Sequence, residues 1–162
     1  MTGGPDVPAA CSYAELRARA LRHLVRREHS RAELARKLAP HAESPAALQS
    51  LLDELESKKQ LSDERYAEAR AHRLARKYGA ARIRQDLKAK GVPDAIVDAV
   101  SSAGELERAE EILKRKYRTP ASTREERARR ARFLQSRGFS HDTIRRALDS
   151  GTEPEFVDGH AD

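Results

Sequence analysis

The chain has 162 residues, 36% of them charged, and a formal net charge of +6. Alanine accounts for 27 of its 62 hydrophobic residues, so only 35 larger apolar side chains are left to build a core. This composition argues against one deep globular core, and because no long apolar stretch occurs, it excludes a membrane-spanning helix.

Residue types and charge distribution narrow the class further. Val, Ile and Thr together number 15, whereas Ala, Leu, Arg, Glu and Lys dominate, which predicts an all-α fold. Residues 12–150 carry a net charge of +11, against −1 for residues 1–11 and −4 for residues 151–162. A basic body indicates a polyanionic partner or an acidic protein surface. Because Cys11 is the only cysteine and the N-terminus has no secretory pattern, we expect a cytoplasmic protein without an internal disulfide.

Three helices are predicted in residues 12–60. Each begins at a serine that can cap it: Ser12, Ser30 and Ser44. Glu33 follows the second serine by three residues and is placed to complete a capping box. The apolar faces are Leu16, Ala20, Leu21, Leu24 and Val25 in the first helix, Leu34 and Leu38 in the second, and Leu48, Leu51, Leu52 and Leu55 in the third.

Three more helices are predicted in residues 61–104. The first begins at Ser62 or Asp63 and ends before Gly79. The second is closed by Gly91, because glycine adopts the left-handed conformation that ends many helices. The apolar positions are Ala67, Ala71, Leu74 and Tyr78 in the first, Ile83 and Leu87 in the second, and Ile96, Val97 and Val100 in a third that Pro93 opens.

The last group of helices is predicted in residues 105–150. One begins near Glu105, and a Thr-Pro break separates it from a second that starts near Thr123 and is capped by Gly138. Ser140 starts the third. Their main apolar positions are Leu106, Ala109, Ile112, Leu113, Ile144 and Leu148.

The second and third groups share a motif. A leucine, a basic residue, a helix-ending glycine and an apolar residue precede a short helix, as Leu87, Lys90, Gly91 and Val92 in one group and as Leu134, Arg137, Gly138 and Phe139 in the other. The two glycines lie 47 residues apart, a spacing found in helical repeats. The first group has Pro40 in place of the glycine, and chance similarity among Ala- and Arg-rich helices is the alternative explanation.

If the repeats are real, the molecule is elongated, because each unit contacts only its neighbours. The chain is then divided into three tandem three-helix units between two tails that we expect to be flexible. The boundaries are a tail at 1–11, units at 12–60, 61–104 and 105–150, and an acidic, disordered tail at 151–162.

The sequence contains no pattern typical of a catalytic or metal-binding site. None of the six histidines has metal-ligand spacing, and a phosphate-binding glycine loop and a serine nucleophile motif are both absent. Glu68 and His72 lie four residues apart on one helix face, where a surface pair is the ordinary result. We therefore expect no enzymatic activity, no metal and no cofactor.

Basic residues are concentrated in residues 70–90, where eight of them accompany a single acid, Asp86. At about 100° per residue, Arg70, Arg73 and Lys77 fall on one stripe beside the apolar seam. A second basic cluster closes the seventh helix. The residues that we expect to contact a partner are Arg70, Arg73, Arg76, Lys77, Arg82, Arg84, Lys88, Lys90, Lys114, Arg115 and Lys116.

These basic residues also have an alternative, purely structural explanation. Cations in the last turn of a helix interact favourably with the helix dipole. That effect would account for the basic residues at 76–77, 88–90 and 114–116 without any partner. The sequence leaves both explanations open.

Four segments form an ordered set of motifs across residues 14–149. They contain Arg26-Arg27-Glu28-His29, Leu61-Ser62-Asp63-Glu64, Lys88-Ala89-Lys90-Gly91-Val92 and Arg137-Gly138-Phe139-Ser140, each within a longer similar stretch. Each motif alone is low in complexity, but the four in this order resemble the RecX family.

The resemblance implies three tandem three-helix units in a curved, elongated monomer. It also implies a function, because RecX-type proteins bind RecA nucleoprotein filaments along the helical groove and restrain strand exchange, ATP hydrolysis and co-protease action in the DNA-damage response. The family has no catalytic residues to transfer. What transfers to this chain is the basic segment from Arg70 to Lys90, as a candidate surface for contact with the filament and with single- or double-stranded DNA.

Two other functions fit parts of the sequence. A DNA-binding protein could use the helix pair 80–90 and 93–101 in helix-turn-helix fashion, but the second of these helices is apolar and acidic and would read the major groove poorly. A helical adaptor without nucleic-acid contact is the third interpretation. Binding to RecA with and without DNA distinguishes the three.

Overall fold

Residues 9–151 are described by a computed structural model, and all of their regular elements are helical. No strand occurs in this range, which confirms the all-α prediction. The predicted flexible and disordered tails lie outside the described residues over 1–8 and 152–162. The helices of the described range are α1 (Tyr13–Arg26), α2 (Arg31–Leu38), α3 (Pro45–Ser57), α4 (Asp63–Ala75), α5 (Ala80–Ala89), α6 (Asp94–Ser101), α7 (Glu105–Lys116), α8 (Arg124–Ser136) and α9 (His141–Ser150), with a 3₁₀ turn, Ala39–His41, after α2.

The described residues form two compact units, each assembled from two stretches of sequence. The first compact unit contains residues 9–71 and 86–100, and the second contains residues 72–85 and 101–151. Helices α4 and α5 therefore contribute to both units. The division into three-helix units at 60/61 and 104/105 stays a prediction.

Leucine side chains form the core of the first compact unit. Its helices begin where the sequence predicts, because the hydroxyl oxygens of Ser12, Ser30 and Ser44 accept backbone N–H groups three residues further on. Pro40 lies in the 3₁₀ turn that ends α2. The buried cluster consists of Leu16, Ala20, Leu34, Leu38, Leu48, Leu51, Leu52, Leu55 and Leu61.

Two predictions for the first compact unit are wrong. Val25 was placed on the apolar face of α1, but it is 86% exposed, since nine residues at about 100° each put it opposite Leu16. Glu33 does not complete a capping box. Its carboxylate instead accepts two hydrogen bonds from Arg27, at 2.6 and 3.1 Å.

The end of α4 also differs from the prediction, which extended this helix to Tyr78. The helix ends at Ala75, because the carbonyl oxygen of Leu74 accepts the N–H groups of both Lys77 and Tyr78, at 3.0 and 2.9 Å, in a tight closing turn. Lys77 therefore lies beyond the helix. The predicted stripe that joined it to the preceding arginines of α4 does not reach it.

The two glycines of the repeated motif have the same local structure. Gly91, in the first compact unit, has a φ of +73°, and Gly138, in the second, has a φ of +85°. In each case the N–H of the following apolar residue donates to the carbonyl of the motif leucine five residues earlier, at 3.2 and 3.3 Å. These bonds close the helices as a left-handed cap requires.

An acidic residue at the start of a helix caps another helix in each compact unit. In the first, the Asp63 carboxylate accepts the N–H of Arg31, the first residue of α2, at 2.8 Å. In the second, the Glu105 carboxylate accepts the N–H of Ala80, the first residue of α5, at 3.0 Å. Asp63 begins α4 and Glu105 begins α7, so the same contact occurs twice in the chain.

The core of the second compact unit lies between α7, α8 and α9. Its apolar side chains occupy the predicted faces of α7 and α9, and Phe139, the apolar residue after the motif glycine, is buried among them. The buried cluster consists of Ala109, Ile112, Leu113, Leu134, Phe139, Ile144, Ala147 and Leu148.

Candidate functional site

The eleven basic residues predicted to contact a partner are divided between the two compact units. Three lie in the first: Arg70, Lys88 and Lys90. Two of these three form ion pairs, since Lys88 lies 3.3 Å from Asp94 and Arg70 contacts Asp86. The other eight lie in the second compact unit: Arg73, Arg76, Lys77, Arg82, Arg84, Lys114, Arg115 and Lys116.

Arg70 has a structural role in the first compact unit. Its guanidinium donates two parallel hydrogen bonds to the Asp86 carboxylate, each 2.8 Å long, and both side chains are half-buried. These bonds lower the pKa of Asp86 below its ordinary value, against the effect of its burial. Bidentate pairs of this kind are geometrically specific. Arg70 is therefore engaged within the protein, unlike the exposed cations of the second unit.

Close backbone contacts in the second compact unit hold the end of α8 against the start of α5. The N–H of Gly79 donates to the carbonyl of Arg137 at 2.9 Å, and the N–H of Ala81 donates to that of Gly138 at 3.1 Å. A Cβ atom at Gly79 would lie 2.5 Å from the Gly138 carbonyl oxygen, so only glycine fits there. The contact brings Tyr78 beside the basic residue of the C-terminal motif.

Glu105, the first residue of α7, also holds the start of α5 in place. Besides the N–H of Ala80, its carboxylate accepts hydrogen bonds from the hydroxyls of Thr143 and Ser140, at 2.7 and 3.1 Å. Burial alone would raise the pKa of Glu105, but these hydrogen bonds lower it below its ordinary value. The charged Glu105 carboxylate therefore holds the starts of α5 and α9 against α7 within this unit.

Aromatic rings in the second compact unit make cation–π contacts with several of its basic side chains. The guanidinium carbons of Arg82 and Arg137 lie 5.4 and 6.0 Å from the centroid of the Tyr78 ring. The same Arg137 lies 5.0 Å from the Phe133 ring, and Lys116 lies 4.0 Å from it. Such contacts contribute about 0.5–1 kcal/mol each at exposed sites, which is enough to restrict long, mobile side chains.

Two of the arginines also cap the turn after α4. Arg115 donates to the carbonyl of Arg76 at 2.8 Å, and Arg137 donates to the carbonyl of Lys77 at 3.4 Å. These guanidinium groups satisfy carbonyls at the end of another helix, whereas the explanation by helix-end electrostatics concerns each cation's own helix and stays a prediction. The side chains of Arg76 and Lys77 themselves are exposed.

We call this surface the basic interface. The guanidinium of Arg82 beside the Tyr78 ring presents N–H groups at its edge, and such groups are suited to bind a phosphate or a carboxylate in bidentate fashion. The arrangement can therefore bind an anionic partner without a deep pocket. The basic interface consists of Arg76, Lys77, Arg82, Arg115, Lys116 and Arg137, with the rings of Tyr78 and Phe133.

Sequence reasoning missed Arg137, Tyr78 and Phe133 as members of this surface. Arg137 was identified as the basic residue of the repeated motif, and that signal could have marked it as a candidate. The contact of Arg137 with the Tyr78 ring joins residues about 60 positions apart, as the Arg137–Lys77 bond does. No local pattern predicts such a pairing.

A cavity of about 290 Å³ opens beside the C-terminal end of α7 in the second compact unit. Leu113, Tyr117 and Pro120 supply apolar wall, and Leu148 and Gly151 border it at the end of α9. Arg130 stacks 4.4 Å from the Tyr117 ring and donates to a loop carbonyl at 2.8 Å, so one wall carries a fixed positive charge.

Within residues 9–151, no group of three His, Cys, Asp or Glu side chains is arranged to hold a metal ion. Over the same residues, no helix combines the length and the apolar character needed to cross a membrane.

Two family models match the chain. Residues 62–100 match the second three-helix domain of RecX, and residues 103–148 match the third. The chain is also 50% identical over 136 residues to the Regulatory protein RecX of Leptothrix cholodnii, a match that covers 82% of this chain and 87% of that one. It is 49% identical over 138 residues to the Regulatory protein RecX of Herbaspirillum seropedicae, covering 83% and 90%.

Solved structures agree with the fold. A crystal structure of RecX from Lactobacillus salivarius superposes with a TM-score of 0.72 at 21% identity, covering 85% of this chain and 95% of that one. A second crystal structure, of regulatory protein RecX, gives a TM-score of 0.67 at 21% identity, covering 85% of this chain and 73% of that one. At this identity the likeness concerns the fold.

Proposed function

The chain belongs to the RecX family of regulatory proteins, and on that premise we propose that it binds RecA nucleoprotein filaments and modulates, mostly by inhibition, their recombinase, ATPase and co-protease activities. It acts in the cytoplasm as a monomer, during DNA repair and the damage response, and it needs no cofactor. The observation that carries the proposal is the extent of the similarity. Relatives that bear the name Regulatory protein RecX are about half identical over more than four fifths of the chain.

The charge of the basic interface is suited to bind an anionic partner. In the second compact unit its cations lie on exposed turns and helix ends, with several heads oriented by aromatic rings. A filament presents both acidic protein surface and DNA phosphates, so several weak contacts combine into tight binding. If these contacts favour one state of the filament over another, binding shifts the cycle of ATP hydrolysis.

The direct experiment is the DNA-dependent ATPase of RecA titrated with this protein. We expect the rate to fall in a saturable way as the protein is added. Recovery of RecA with the immobilised protein, with and without bound DNA, accompanies the titration. An unchanged ATPase together with no recovery of RecA would contradict the proposal.

A triple variant tests two cations of the basic interface, Arg76 and Lys77, together with Arg73 of α4, which precedes them. Arg73, Arg76 and Lys77 are exposed and have no ion-pair partner among the described residues, so changing all three to alanine should alter stability by no more than about 0.5 kcal/mol per site. We expect this variant to keep its helical content and cooperative melting but to lose most inhibition of RecA ATPase at moderate salt.

The matched control is the Arg22/Arg26/Arg36→Ala variant. These arginines are exposed on α1 and α2 in the first compact unit, so the control removes the same charge from elsewhere. Equal loss of inhibition in both variants would mean that net charge, and not the basic interface, governs binding.

Direct contact with single-stranded DNA is a second candidate function. The observation that favours it is the alternation of rings and cations around Tyr78 and Phe133, since proteins that bind single strands combine aromatic side chains with basic grooves. Fluorescence anisotropy with a labelled oligothymidine in the absence of RecA tests it. A plain DNA-binding protein would bind the oligonucleotide and ignore RecA.

A further inference from the structure

The cavity beside α7 in the second compact unit is large enough for an aromatic side chain. Its volume is about 290 Å³, and an apolar cavity of about 150 Å³ in another protein already binds benzene. The lining is mixed, with Leu113, Tyr117, Ala147 and Leu148 as apolar wall. Nothing among the described residues fills it.

The described chain ends at the rim of this cavity. Gly151, the last described residue, lies in its lining, and eleven more residues follow it in the sequence. They contain one aromatic side chain, Phe156, five residues beyond the rim, next to Val157. Five extended residues span at most about 18 Å, so the ring can reach the cavity without any rearrangement of α9.

Charge complementarity also favours the segment after Gly151 as the occupant of the cavity. The eleven following residues contain four acids and no lysine or arginine. The rim carries Lys114, Arg118 and Arg130 against one acid, Glu110. Lys114 and Arg118 are exposed, and neither has an ion-pair partner within residues 9–151. The four acids are Glu153, Glu155, Asp158 and Asp162.

We propose that the C-terminal segment, residues 152–162, docks on the second compact unit, with the Phe156 ring in the cavity and its acids on the basic rim. Because Lys114 on the rim directly precedes Arg115 and Lys116 of the basic interface on α7, the docked segment competes with the anionic partner of that interface. This last consequence rests on the proposed function, whereas the docking itself does not.

Disulfide trapping in the full-length chain tests the docking. In a Cys11→Ser background, the pair Ala121→Cys and Val157→Cys places one thiol on the cavity wall and one beside Phe156. Under mild oxidation we expect a disulfide within one molecule, at a rate independent of protein concentration. Adding Phe156→Ala should slow its formation at least tenfold, since that change removes the anchoring ring and no charge. High salt should slow it further.

Two outcomes would overturn the proposal. One is an equal rate of trapping with and without Phe156→Ala, or with Ala18→Cys on α1 in place of Ala121→Cys, which would indicate random collision. The other is a disulfide that forms only between molecules, which would mean that the segment binds a second copy.

Hydrogen exchange covers the case in which the cysteine variants do not fold. In the otherwise unaltered protein, Phe156→Ala should speed amide exchange in residues 117–121 at least threefold, and unchanged exchange there contradicts the docking. Neither measurement involves RecA or DNA. Both therefore test the docking even if the proposed function is wrong.

Discussion

Lys59 has a backbone conformation that the sequence gives no reason to expect. Its φ is +57°, and the N–H groups of Gln60 and Leu61 both donate to the carbonyl of Leu55, at 2.9 and 3.1 Å. This is the left-handed closure found at Gly91 and Gly138, formed here without glycine. The closure of α3 therefore holds a strained residue.

We expect Lys59→Gly to raise the free energy of unfolding by up to about 1 kcal/mol. The left-handed conformation costs about 1–2 kcal/mol for a residue with a Cβ, whereas the extra chain entropy of glycine costs about 0.4–1 kcal/mol. Urea unfolding followed by circular dichroism measures the change. Lys58→Gly, at a φ of −84°, is the control and should destabilise. If both variants lose stability equally, the strain at Lys59 is absent.

His29 is a buried titratable group in the first compact unit. The residue is 3% exposed, and its Nδ1 lies 3.0 Å from the carbonyl oxygen of Arg27. Burial lowers its pKa below the ordinary value of 6.5, with the hydrogen bond to Arg27 acting in the opposite direction. Burial also lowers the pKa of the neighbouring His23. The unfolded chain therefore binds protons more readily than the folded one near pH 6.

Stability should consequently be complete above the unfolded pKa and should fall as the pH drops below it. We expect the free energy of unfolding to decrease between about pH 7.5 and pH 5.5, the range in which histidine titrates. His29→Asn should make this decrease smaller than it is in the unaltered protein. A slope that His29→Asn does not alter would assign the titration to other groups.

At the scale of whole elements, the contact between a helix-starting acid and another helix occurs in both compact units. Glu105 joins α7 to the first residue of α5 and to the hydroxyls at the start of α9. We expect Glu105→Ala to lower the free energy of unfolding by about 2 kcal/mol or more, because it leaves two donors of buried residues, the N–H of Ala80 and the hydroxyl of Thr143, without this acceptor.

The control for Glu105→Ala is Glu107→Ala, which removes an exposed carboxylate from the same turn of α7. Thermal melting of both variants by circular dichroism gives the comparison. Similar melting temperatures would show that Glu105 contributes to stability only through its charge near the start of α7.

Element starts were predictable from the sequence, whereas several ends and contacts were not. Ser12, Ser30, Ser44 and Ser140 cap helices where local chemistry places them, because a hydroxyl and an N–H three residues on need no distant partner. The turn that ends α4 early closes on the carbonyl of Leu74, but the Arg115 and Arg137 side chains that bind its other carbonyls are distant in sequence, so the local sequence does not encode them.

The sequence predicted which basic segments contribute to the candidate site, but not which side chains contact one another there. Charge density identified the basic segments, but the pairing of Arg70 with Asp86, like that of Lys88 with Asp94, removes a cation from the candidate contact residues. Contacts of Tyr78 with Arg137 added another. These pairings depend on how different elements pack, so a periodicity argument along one helix assigns none of them.

For the molecule as a whole, the net charge of +11 on residues 12–150 predicts salt-sensitive binding. If the basic interface meets phosphates of single-stranded DNA, log affinity should fall linearly with log salt, with a slope of about −0.7 per phosphate contacted. Titration of RecA filaments at several salt concentrations measures the slope. The Arg73/Arg76/Lys77→Ala variant should reduce it, and a flat dependence in the unaltered protein would show that its charge serves only solubility.

The division of the chain between the compact units has a consequence for its synthesis. The first compact unit is complete once residue 100 has left the ribosome, whereas residues 72–85 belong to a unit that also requires residues 101–151. Translation of residues 86–151 takes on the order of 3–13 s at about 5–20 residues per second. During that interval the Arg137 carbonyl that accepts the Gly79 N–H has not been synthesised, so the start of α5 lacks its C-terminal partner until α8 emerges.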